Sequence, residues 1–369
     1  MSADRGTALD FAVAGPDDDA GIRALLRASV TPGSVRVAFT REPSYDLGEG
    51  LGGAVDHTIV ARNGGQLVAL GRSSTRTLHR NGAPCRVGYL SELRVHPDVR
   101  LGAKVLRDGY AYLREVLTGD DASGYFTSIA SDNTRARRVL ELGGRLGAPA
   151  YTHIADLETL LVAAKGADPH RDATLRAEAP VDRDELTAFL QATARDGQLT
   201  PTWDEARWAA LERHGITPQH FHMIRDGRGI VATAALWDQS AFRQTVIDGY
   251  TGTLEKGRLM VNLVQHALGR PPLPAPGTAL RQAAVLGAST RDGAVCPALW
   301  TLLRRTAAAR GIQWLLLARD ARDPALAQLM ALLRPRRYAS RLYEVAWDGS
   351  PRFGETWTGA PFRPEVGLL

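Results

Sequence analysis

The sequence predicts an α/β (α+β) protein of two similar units in tandem, each a mixed, mostly antiparallel sheet flanked by helices. Three observations predict it. The chain has 369 residues, 44% apolar and 23% charged, an ordinary globular composition that is long for one hydrophobic core. Its apolar spacing alternates between strand-like and helix-like periods along most of its length. The order of elements also repeats, with hairpin turns at Asn63-Gly64 and Asp226-Gly227 that lie 163 residues apart and first strands 164 apart, two offsets that agree.

The first unit opens with a strand at 9–14. A helix follows, with Asp17, Asp18 and Asp19 at its N-terminus and Ile22, Leu25 and Leu26 on one face. Residues 33–55 are rich in turn formers and carry only weak helical signal. Strands at 57–61 and 66–78 flank an Asn-Gly turn, and a second turn at Asn81-Gly82 leads to a strand at 85–95, which His96-Pro97 ends. The pattern then predicts a helix over 103–117, a strand over 125–130, a helix over 134–142 behind Ser131-Asp132-Asn133, and a strand over 151–157.

Residues 162–173 read as a linker. The second unit predicts a strand at 175–179, helices at 183–194 and 203–214, and a hairpin over 221–237. A strand at 283–287, a helix at 297–310, a strand at 313–318, a helix at 324–333 and a strand at 338–347 complete it. Extra length with a short amphipathic helix sits between 251 and 280, and 349–369 lacks periodicity and reads as a surface tail. The expected domains are therefore 1–161, a linker at 162–173, a second unit at 174–348, and the tail.

Composition excludes several classes. No apolar stretch approaches the roughly 20 residues of a membrane span, and the two cysteines, Cys85 and Cys296, are too few for a disulfide framework or a cysteine-rich zinc site. A cytoplasmic protein without a metal is the expectation. The net charge of +5 lies wholly after residue 170, and nine arginines face two acids between Arg304 and Arg341. In a chain with three lysines among 45 basic residues this is first a solvated helix face, and second a phosphate-binding surface.

The chemistry concentrates at GYLSELRVHPDVRLGA, residues 88–103. A strand that ends in a glycine-containing turn and opens a helix aims backbone N–H groups and the positive helix end at one place, which suits a pyrophosphate. Leu93-Arg94-Val95-His96-Pro97, the turn residues Arg100 and Gly102, and the later pair Asn133 and Ala136 together resemble the GNAT acyltransferase superfamily. The resemblance covers residues 9–157, and the second unit matches in order of elements only.

That resemblance implies a tandem GNAT fold with acetyl-CoA or another acyl-CoA in the first unit, held by Leu93, Arg94, Val95, Arg100, Leu101, Gly102, Ala103, Lys104 and Asn133. It implies an N-acyltransferase in which an amine of a small molecule or peptide attacks the thioester directly, with backbone N–H groups near Leu93 polarising the carbonyl. Glu92 is the expected base by position, and its alternative is an ion pair with an arginine across the sheet. The family's tyrosine acid falls on Leu140, so Tyr89, Ser131 and Tyr151 are the candidate replacements. His214, His220 and His222 lack a ligand pattern, the tryptophans of the second unit read as core, and Trp237-Asp238 is a candidate acceptor-pocket wall. Two alternatives stand beside this reading: a non-catalytic acyl-CoA binder, and an aminoacyl-tRNA-dependent transferase that would use the arginine-rich region. Nucleic acid enters only under the latter.

Overall fold

The computed structural model describes residues 9–31, 33–51, 54–99, 103–146, 148–165, 181–267, 271–350, 352–353 and 356–369. The first half contains β1 (Asp10–Val13), α1 (Asp19–Ala28), β2 (Val30–Thr31), β3 (Val35–Thr40), β4 (Val55–Asn63), β5 (Gln66–Arg80), β6 (Ala83–Val95), α2 (Ala103–Val116), β7 (Tyr125–Ala130), α3 (Thr134–Glu141) and β8 (Ala150–Ala163). The second half contains α4 (Arg183–Ala194), α5 (Glu205–Arg213), β9 (Phe221–Asp226), β10 (Gly229–Trp237), β11 (Gln244–Tyr250), α6 (Thr253–Ala267), β12 (Gln282–Thr290), α7 (Pro297–Ala309), β13 (Trp314–Asp320), α8 (Pro324–Leu333) and β14 (Arg336–Ala346). The mixed, mostly antiparallel sheet with helices packed on it is the predicted fold class. The strand expected at 175–179 and most of the linker lie outside the described residues.

Local sequence explains the element ends. Asn133 caps α3 by accepting the Ala136 N–H at 3.1 Å, and Asp182 caps α4 by accepting from Asp184 and Glu185, each worth about 1 kcal/mol. The amphipathic face of α1 is buried through Ile22, Leu25 and Leu26, and α2 covers the sheet with Tyr110 and Leu113, followed by Leu117 just past its end. Both α2 and α7 are crossovers between parallel strands, β6 to β7 and β12 to β13, because a parallel connection cannot be made by a tight turn.

One sheet of 11 strands runs through both halves in the order β1-β4-β5-β6-β7-β14-β8-β13-β12-β10-β9. The last strands are exchanged: β14 pairs with β7 of the first half, and β8 pairs with β13 of the second. The two meet as an antiparallel pair from Arg336↔Leu161 to Ala346↔Ala150. Val162, read as linker, is therefore a core residue at the end of β8. Trp347, read with the second unit, packs against Tyr110 and Tyr125 of the first.

Two further departures bear on the site. The segment read as turn-rich contains β3, which pairs with β11 and β2 in a separate three-stranded sheet. The C-terminal residues are not a surface tail: Phe353, Phe362 and Leu368 are buried. They lack a helical or strand period because their regular structure is one short 3₁₀ turn at Val366–Leu368, yet Phe353, Trp357 and Phe362 contact one another in sequence against the core.

Candidate active site

β6 and β7 are paired only at Gly88↔Tyr125 and Tyr89↔Phe126, and then diverge. Gly88 permits the close base of this splay, since a Cβ there would meet the Tyr125 ring at 2.2 Å. Above it, β6 is bulged. Ser91 faces Arg72 and Arg94 faces Leu70, so Glu92 and Leu93 share the place opposite Gly71 without ladder partners. Glu92 has φ 53°, in the left-handed region that a non-glycine residue occupies at a cost. The strand's parity shifts here, and Glu92 comes to lie with Tyr89 and Ser91 around one small cavity rather than with Leu90, as strict alternation predicts.

A cavity of about 840 Å³ opens from the splay and crosses to the second half. Leu90 to Val95 and Thr127 to Ala130 form its two flanks, Asn133, Ala136 and Leu140 of the α3 region one end, and Trp237, Trp314 and Tyr338 the far side. β3 and β11 roof it through Val37, Phe39, Thr245 and Ile247. The second half thus builds part of the wall, which places Trp237 at the pocket as the sequence suggested; Asp238 does not line it.

Among the expected acyl-CoA residues, Leu93, Arg94, Val95 and Asn133 line this cavity. Ala103 and Lys104 open α2, while Arg100, Leu101 and Gly102 lie outside the described residues. The expected catalytic residues separate. Tyr89 is buried on the wall, its hydroxyl 2.8 Å from Ser128 Oγ and its pKa raised chiefly by burial. Ser131 does not line the cavity; its N–H donates to Ala339 of β14 and its carbonyl accepts from Arg137. Tyr151 does line it, beside Leu140 and Tyr110. The Tyr151 and Tyr110 hydroxyls form a hydrogen bond, and burial pushes Tyr110 up to about 12 and Tyr151 well above its ordinary value.

Glu92 is engaged on both oxygens. Arg41 donates to Oε1 through Nε at 3.0 Å and through Nη2, and Tyr45 donates to Oε2 at 2.8 Å. Burial opposes ionisation, but the Arg41 and Arg72 guanidiniums and these hydrogen bonds outweigh it and hold the carboxyl well below the usual range. Glu92 is therefore in an ion pair, the alternative to a base, but its partner Arg41 follows β3 outside the main sheet instead of lying across that sheet.

The second half has the matching bulge and splay, but filled. Leu286 faces Ala235 and Ser289 faces Thr233, which leaves Gly287, at φ 60°, and Ala288 in the bulge. The Gly287 N–H donates to Glu365 Oε1 at 2.9 Å, and Glu365 forms an ion pair with the buried Arg207. Phe362 and Asp320 exchange main-chain and side-chain hydrogen bonds, and Gly367 packs on Ala284 and Trp237. The C-terminal segment occupies the space that is open in the first half.

Other sequence signals dissolve into packing. Arg319 pairs with Asp323, Arg322 with Asp320 and Arg341 with Asp156, and Arg304 donates to the Ala163 carbonyl, so these four arginines have partners within the chain, while the Arg322 side chain stays 66% exposed. His222, which on a strand with His220 would be expected on a solvated face, has both ring nitrogens buried without partners, and burial with nearby Arg310 and His220 lowers its pKa to about 4. Among the described residues no group of three or more His, Cys, Asp or Glu side chains is placed to hold a metal, and no helix is long and apolar enough to cross a membrane.

No family model matches the sequence, and no curated protein does. Solved structures do match in fold. The Saccharomyces cerevisiae N-myristoyltransferase with bound myristoyl-CoA is 11% identical, with a TM-score of 0.58 over 92% of this chain and 83% of that one. A tandem GNAT protein from the clavulanic acid biosynthesis pathway is 13% identical, with a TM-score of 0.52 over 95% of this chain and all of that one.

Proposed function

We propose that this chain, which has the tandem GNAT fold, is an acyltransferase that moves an acyl group from acyl-CoA to an amine, with the thioester in the β6/β7 splay. The observation that carries the reading is the asymmetry of the two splays: the one bearing the Leu93-Arg94-Val95 strand end opens into the large cavity, and its counterpart is filled by the chain itself.

In this reading an amide of the Glu92–Leu93 bulge polarises the thioester carbonyl. The amine nitrogen forms the new C–N bond, the C–S bond breaks, the amine's proton passes to solvent, and the thiolate takes a proton. Tyr151 is the proposed donor of that proton. It lines the same cavity as Leu140, the position where the resemblance places a tyrosine, and its hydroxyl stays protonated through the neutral range. Glu92, which accepts protons poorly while bound to Arg41, is assigned to positioning Arg41 and Tyr45 on the acceptor side.

Thiol release from acetyl-CoA and longer acyl-CoAs with a pool of amines tests this. Turnover that depends on the amine supports it, and Tyr151→Phe should lower kcat roughly 10²-fold, the low end for general acid–base catalysis, with little change in acyl-CoA affinity. Saturable acyl-CoA binding without thiol release would sink the enzymatic reading and leave a binding protein.

A further inference from the structure

The splay divides the large cavity between the two faces of the sheet. Ala136, Leu140 and Tyr151 belong to the α2/α3 face, where Asn133 caps α3. The remainder lies on the opposite face, over the second half. Leu160 and Val162 of β8 and Leu315 and Leu317 of β13 pack with Leu299 and Leu303 of α7, so alternation turns Leu161, Trp314 and Leu316 the other way, into the cavity. From β7 through β14 and β8 to β13 is three strand spacings, about 14 Å, and the sheet of β3 and β11 roofs this arm.

The arm is apolar and open. Phe39 of its roof and Tyr338 of its floor are 39% and 41% exposed although both line it. Its polar groups are engaged within the protein: Gln282 donates to Thr245 Oγ1 at 2.9 Å, the Arg336 guanidinium lies 5.5 Å from the centre of the Trp314 ring, and Arg337 is 3.9 Å from Glu158. Among the described residues the carboxylates that line the cavity are Glu92 and Asp132, both at its β6/β7 end. A second ammonium on the acceptor would therefore be buried in the arm without counter-charge. A concave apolar wall whose few polar groups are already paired suits the hydrophobic body of a ligand.

We infer that the acceptor carries its amine on an apolar body, an alkyl chain or an aromatic ring system, which lies along this arm against Trp314, Leu316 and Tyr338 while the amine faces the thioester. With acyl-CoA on the α2/α3 face, the opposite face is left to the acceptor, and a small polar amine would leave most of an arm of about 14 Å bare. The inference rests on the acyl-transfer reading for the role of the amine; the apolar arm stands on its own geometry.

The test titrates the intact protein, without acyl-CoA, with straight-chain primary amines from ethylamine to decylamine below their micellar concentrations, followed by calorimetry, and repeats the series in a thiol-release assay with acetyl-CoA. Affinity for a single site and kcat/KM should both rise about fourfold per added methylene, the worth of one buried CH₂, and level off once the arm is full; Leu316→Glu should flatten the rise. If ethylamine and decylamine bind alike, or the longer amines bind without saturating one site, the inference is overturned even if amines are acylated. If affinity rises with chain length but no acyl-CoA releases thiol, the apolar arm stands and the acyltransferase reading fails. If turnover is flat in amine length and rises instead from acetyl-CoA to decanoyl-CoA, the arm holds the acyl chain and the inference about the acceptor is overturned. The chain-length series needs only the unmodified protein, so a variant that fails to fold does not decide the outcome.

Discussion

At the scale of single residues, Glu92 joins three requirements. It occupies a left-handed backbone position in a bulge, accepts from Arg41 and Tyr45, and neutralises part of a strongly cationic interior. Glu92→Gln keeps an acceptor but removes the charge, and breaking a buried pair costs about 3 to 5 kcal/mol; a loss near 3 kcal/mol is expected by urea unfolding. Because Glu92 and Asp56 are both depressed in the folded state, their stabilisation is complete above the ordinary carboxylate values and lost as pH falls below them. Stability should therefore decline from about pH 5 toward pH 3, and less steeply in the Gln variant. Activity, by contrast, should rise with pH toward the amine's own pKa with no inflection from Glu92, which a pH profile of kcat/KM measures. The sequence placed Glu92 on the right strand but on the wrong face, since a bulge is a tertiary choice that period-2 counting cannot contain.

Elements were legible where the local pattern is strong. The helices α4 and α8 and the strand β7 lie where their periodicity puts them, because capping residues and apolar spacing agree there. The strands β3 and β11 were missed. Val35, Val37 and Phe39 do alternate, but the surrounding glycines and turn formers masked them, and the β3–β11 pairing joins residues about two hundred positions apart. The C-terminal segment was missed for a related reason: its stability comes from Glu365 and three aromatic rings meeting prepared sites, which no period reports. Glu365→Ala would strand the buried Arg207 and uncap the Gly287 amide. A loss of about 3 to 5 kcal/mol is expected, and faster proteolysis within residues 349–369 should accompany it. If stability were unchanged, the segment would not be the plug of the second splay.

For the whole molecule, strand exchange makes the two units one cooperative body. β14 completes the first unit and β8 the second, so separation at the linker would leave each with an open edge beside β7 or β13. Calorimetry should show a single transition with calorimetric and van't Hoff enthalpies equal; two resolved transitions would contradict it. We therefore propose that 1–161 and 174–348 are units of duplication rather than of stability.

The sequence alone determined the tandem repeat, most helices, and the strand that carries the Leu93-Arg94-Val95 motif, because these follow from apolar period, caps and turn chemistry within a few dozen residues. Only the tertiary structure decided which splay stays open, where Glu92 points, and that β8 and β14 change places. Those outcomes depend on charges and strand edges brought together from opposite ends of the chain, whose interaction falls with distance in space and is blind to separation along the sequence.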